Sequence, residues 1–148
     1  MLTGELRQAE QTEYVGRLVK DADLAISREV NARMRETGVT SSQGWLLAAL
    51  YFASDGTLSL KEIEALARTS QPSVWGVVSR MEKAGLVEVF SNPDDARARL
   101  VRITEEGRAR SERCQEILNG VEGAIRESMA PEEHEQLVRL LQRLAELF

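Results

Sequence analysis

The chain has 148 residues, a formal net charge of −5, 43% hydrophobic and 29% charged residues, and one cysteine. That length favours one compact domain, and no apolar run nears the roughly 20 residues of a membrane helix. A lone cysteine excludes an internal disulfide framework, and the first twenty residues carry no apolar core of signal-peptide type, so the expected compartment is the cytoplasm.

From Glu5 to Glu36 the spacing predicts a helix, with Val15, Leu18, Val19, Ala22 and Ile26 on one face and Gly38 as its stop. Thr40 with Gln43 forms a capping-box pattern for a helix over 41–53. That helix is apolar nearly all round, so it belongs in the centre. Trp45 and Tyr51 on it are expected in the core, with the lining of a pocket as the alternative. The run 54–57, SDGT, is a turn. Ser59 with Glu62 repeats the capping box for a short helix carrying Leu60, Ile63 and Leu66.

Ser70 caps the next helix, with Pro72 in its first turn, Val74, Val77, Val78 and Met81 as its apolar stripe, and Gly85 as its stop. Residues 86–91 and 98–103 are strand-like and joined by a turn rich in Asn, Pro and Asp, which predicts a β-hairpin. Thr104 opens a helix to about Met129, striped by Cys114, Ile117, Leu118, Val121 and Ile125. Pro131 starts the last helix, with Leu137, Leu140, Leu141, Leu144 and Leu147 on one face. A leucine face that wide on a terminal helix asks for a partner, or for a fold back onto its own core.

A short helix, a tight turn, a capped helix and a hairpin make a winged helix-turn-helix. The expected class is mainly α with a small β-hairpin wing, flanked by N- and C-terminal dimerisation helices. Two stretches carry a resemblance. One is LKEIEALARTSQPSVWGVVSRMEKAGLVEV; the other is DDARARLVRITEEG, with Asp95-x-Arg97 followed by Leu100, Val101, Ile103, Thr104 and Gly107. In these the chain resembles the MarR family of bacterial transcription regulators. Ala96 departs from the basic residue many members carry there, and Arg68 from the glycine often found in the turn.

The resemblance implies a homodimer on pseudo-palindromic double-stranded DNA, acting as a repressor. It implies dimerisation segments over 1–38 and 108–148 around a DNA-binding region over 39–107, all one intertwined domain. It also implies a small, often aromatic effector between the dimer helices and the winged module, which no residue here identifies.

Turning the recognition helix by about 100° per residue puts Pro72, Gly76, Ser79 and Lys83 opposite the apolar stripe. Ser73 and Arg80 flank one side of that face, and Gln71 and Trp75 the other. Gln71 and Ser73 suit base edges, Arg80 a guanine or phosphate, and Trp75 a thymine methyl or its own turn. Gly76 leaves room for close approach. Arg97 is expected at the wing tip, held by Asp95, where a guanidinium enters a narrow minor groove. Arg99 and Arg102 are placed for phosphates, or for a solvated strand face.

Charge speaks against this reading. Between Thr57 and Gly107 seven cations face eight acids, a net −1, where DNA binders usually show a basic footprint. Affinity must then rest on a few placed cations. The alternative is a winged module that binds another protein and barely touches DNA. Cys114 sits in an apolar stripe and reads as structural. His134 has no second ligand at metal spacing, no cofactor pattern is present, and no catalytic arrangement appears.

Overall fold

A computed structural model describes residues 14–67 and 71–148, with the side chains of Gln71 and Pro72 left aside. The helix expected before Tyr14, the Arg68 turn and the Ser70 cap lie outside the described residues.

Helix α1 (Val15–Met34) runs into a tight 3-10 turn, Arg35–Thr37, closed by Gly38 at φ 67°. Only a residue without a Cβ takes that left-handed backbone cheaply. Of α1 only Met34 is buried. Helix α2 (Ser41–Phe52) starts on the expected capping box. Thr40 N–H donates to Gln43 Oε1 (3.0 Å) and Gln43 N–H to Thr40 Oγ1 (3.3 Å). Leu46, Leu47 and Leu50 are its buried anchors. Gly44 lets the end of α1 close in, since a Cβ there would stand 3.2 Å from Met34 Cε.

A short strand β1 (Thr57–Ser59) precedes α3 (Leu60–Ala67). The second capping box also forms, with Ser59 N–H on Glu62 Oε2 at 2.7 Å. That bond holds the Glu62 carboxyl below its usual pKa. Helix α4 (Gln71–Lys83) ends at Gly85, φ 75°. Strands β2 (Val87–Asn92) and β3 (Asp95–Ile103) follow, then α5 (Glu105–Glu127) and α6 (Pro131–Ala145).

The sheet differs from the expected hairpin. It has three antiparallel strands in the order β1-β3-β2. Leu58 pairs with Val101, and Val101 with Val89 on the other side. β1 is three residues long, too short to show an alternation, and it exists only because β3 offers it an edge. β3 also starts three residues earlier than expected.

The core lies where α2, α3, α4, the sheet and α5 meet, through Leu47, Leu50, Ile63, Val78, Met81, Val101 and Cys114. Trp45 corrects the core expectation, because it is 43% exposed. Tyr51 is half-buried, its hydroxyl donating to Glu112 (3.0 Å). The terminal helices are different. α6 buries none of its residues; its Leu140 and Leu141 stand exposed, as do Leu18 and Ile26 of α1.

Candidate nucleic-acid interface

Helix α4 turns Val74, Val78 and Met81 inward, as the stripe predicts. Ser73, Trp75 and Arg80 are exposed on it, and Gly76 and Ser79 are half-buried. Trp75, at 43% exposure, is a large aromatic on this surface. Arg80 Nη1 lies 3.5 Å from where a Gly76 Cβ would be, so its guanidinium folds back one turn over the glycine. Sequence reasoning put Gly76 and Arg80 on neighbouring positions of the face; their contact is a result of the fold. The side chains of Gln71 and Pro72 lie outside the described residues.

Pro93 and Asp94 form the turn of the wing, with Asp94 N–H on Asn92 Oδ1 (3.0 Å). Ser91 pairs with Arg99 and the next residue, Asn92, with Asp95. Residues 96–98 therefore bulge out of β3 without cross-strand partners in the register. Arg97 stands on this bulge, past the turn itself. Asp95 Oδ1 accepts the main-chain N–H of Arg97 (3.0 Å). The aspartate shapes the backbone that presents Arg97, while the guanidinium makes no ion pair with a described residue. The same is true of Arg99.

Arg102 is engaged otherwise. Its guanidinium carbon lies 4.5 Å above the Phe90 ring and its Nε donates to Thr57 Oγ1 (3.4 Å). It packs on the outer face of the sheet, in line with the strand-face alternative.

Recognition helix, wing and α5 meet at one joint. Thr104 Oγ1 donates to Gly85 O (2.7 Å) and accepts Gly107 N–H (3.0 Å). Thr104 N–H donates to Leu86 O (3.1 Å). One threonine thus caps α5 and ties it to the exit of α4. Gly107 sits so close beneath that a Cβ would lie 2.1 Å from Leu86 O. Both residues belong to the wing signature in the sequence, but spacing alone does not reveal this work. Glu82 lies in the stretch that carries the resemblance, but its spacing gives it no role; its carboxylate accepts Val89 N–H (3.3 Å) from β2.

A recess of about 500 Å³ opens inside the winged module. Trp45 of α2, Leu66 of α3 and Val77 of α4 line it, with Ser42 and Ser73 as polar groups. Cys114 is buried beside Thr37, and burial pushes its thiol pKa up, which suits an unreactive core residue. Among the described residues no cluster could hold a metal ion, and no helix is long and apolar enough to cross a membrane.

Residues 37–98 match the family model described as MarR family. The HTH-type transcriptional regulator FarR of Neisseria gonorrhoeae is 29% identical over 123 residues, 83% of each chain. The structure of S. aureus MepR with DNA superposes with a TM-score of 0.81 at 18% identity, covering 91% of this chain and 98% of that one. Bordetella bronchiseptica BpsR, whose DNA binding is regulated by 6-hydroxynicotinic acid, gives 0.77 at 25% identity over 93% and 96%. The winged helix-turn-helix of this chain is thus similar to the MarR family over residues 37–98, and the long helices on either side follow the fold of those solved structures.

Proposed function

We propose that this protein is a transcription regulator, a homodimeric repressor that reads pseudo-palindromic double-stranded DNA. The observation that carries the reading is the wing bulge. It presents Arg97 with its backbone fixed by Asp95 and its guanidinium in no ion pair with a described residue. In this reading α4 enters the major groove. Gln71, Ser73 and Ser79 meet base edges, Arg80 takes a guanine or a phosphate, and Trp75 packs on a thymine methyl. Pro72 starts the helix and Gly76 permits the approach. Arg97 enters the minor groove and Arg99 reaches a phosphate.

The exposed leucines of α6 and the exposed apolar face of α1 support the dimer, because such surface is costly to leave in water. Half-sites then lie about one helical turn, ~34 Å, apart. The reading places the protein with DNA in the cytoplasm, and repression follows where an operator overlaps a promoter.

Fluorescence anisotropy on duplexes selected from a random pool tests this, with sedimentation confirming the dimer. Binding should prefer the selected sequence over its scramble and fall steeply with salt, each phosphate contact adding about −0.9 to the log–log slope. Equal, salt-insensitive binding to both would favour the protein-binding alternative.

Control by a small aromatic ligand belongs to the same proposal, and BpsR supports it by likeness. The recess beside Trp45 is the place where such a ligand would touch α4. It releases DNA only if it binds the DNA-incompetent arrangement better. Aromatic acids titrated onto the protein should change tryptophan emission and weaken DNA binding together. A panel that moves neither removes this part of the reading.

A further inference from the structure

β2 forms one edge of the sheet, because the strand order is β1-β3-β2. An edge strand turns N–H groups outward that no neighbouring strand can take. Val89 on this strand donates its N–H to Glu82 Oε1 at 3.3 Å. Glu82 lies in the last turn of α4, seven residues earlier. Between the two, the chain turns tightly: Gly85 N–H returns to Glu82 O (3.0 Å) and Leu86 N–H to Met81 O (2.9 Å).

Besides the Thr104 joint at the exit of α4, the helix and β2 are thus linked by the covalent turn at Gly85 and by the Glu82 side chain reaching past it. A single turn leaves an angle free to vary. A second attachment in the third residue of the strand restricts that angle. The choice of residue adds to the point. A carboxylate on a module that approaches phosphates is repelled by them, so its presence needs a compensating job.

We propose that Glu82 is a positioning residue: its carboxylate braces the wing against the recognition helix, so that both reach DNA in one fixed arrangement. This rests on the DNA-binding reading above. The brace and the charge predict opposite signs. Removing a negative charge alone tightens DNA binding; removing the brace weakens it.

Two variants, Glu82→Ala and Glu82→Gln, separate the effects, since glutamine keeps an acceptor oxygen and loses the charge. Each is measured on the selected duplex by anisotropy and, as free protein, by amide hydrogen exchange at Val89. In Glu82→Ala, Val89 should exchange faster and DNA binding should fall by about three- to tenfold, the fold-change that one hydrogen bond of ordinary net strength corresponds to. In Glu82→Gln, exchange should stay near wild type and binding should equal or exceed it. Binding by Glu82→Ala as tight as wild type or tighter overturns the proposal, as does an equal loss in both variants. If the wild type prefers no duplex, the DNA reading has failed and the exchange data decide alone. Unchanged exchange in Glu82→Ala then overturns the brace, and faster exchange restored by glutamine supports it.

Discussion

Gly107→Ala should lower the stability of the protein by roughly 2–4 kcal/mol, at the upper end of what overpacking a well-filled site costs. The added Cβ would lie 2.1 Å from Leu86 O and 2.8 Å from Ile103 Cγ1. The first obstacle is main chain, so it cannot swing aside as a side-chain tip would. It is also in use, since Leu86 O accepts Thr104 N–H. Moving it strains the joint where α4, the wing and α5 are tied together by Thr104. Gly76→Ala is the control. There a Cβ meets only Arg80 Nη1 at 3.5 Å, an ordinary contact. Mid-helix alanine should therefore add up to about 1 kcal/mol. Urea unfolding followed by circular dichroism reads both. A Gly107→Ala midpoint equal to wild type would show that the joint is softer than its geometry implies.

The second large effect is expected at Arg97. Its side chain is exposed and makes no ion pair with a described residue, so Arg97→Ala should leave stability within about 0.5 kcal/mol of wild type. DNA binding should fall by about 1–3 kcal/mol if the guanidinium sits in a groove, and the salt slope should flatten by about one contact. Arg102→Ala makes the comparison. Its guanidinium lies on Phe90 and its Nε bonds Thr57, so the loss should appear in the melting of the sheet. If both variants weaken DNA binding equally while melting like wild type, Arg97 has no special place on the wing. Anisotropy and thermal unfolding on the same three proteins give the answer.

Local signals carried a long way here. Thr40 with Gln43 and Ser59 with Glu62 satisfy the orphan donors at two helix starts from within four residues, so spacing was enough to find them. Gly38 and Gly85 stop their helices at positive φ, which follows from the missing Cβ alone. The inward stripe of α4 followed from period, and its opposite face was therefore assigned by rotation.

Other features needed distant parts of the chain. Strand β1 holds its shape through pairing with residues more than forty positions later, Thr57 with Arg102 among them. Trp45 lines a recess and is partly exposed, which an apolar helix read by itself does not show. Arg97 and Arg102 look alike in sequence; the bulge at 96–98 frees one and the ring of Phe90 holds the other.

The sequence by itself determined the helices among the described residues, the caps at Thr40, Ser59 and Thr104, the winged order of elements and the family resemblance, because those rest on contacts within a few residues and on period. The tertiary structure decided that Arg102 rests on Phe90 while Arg97 and Arg99 make no ion pair with a described residue, how Thr104, Gly107 and Glu82 lock the recognition helix to the wing, and where the module opens a recess. Such contacts join residues from separate elements, and only packing brings those elements within a hydrogen bond of one another.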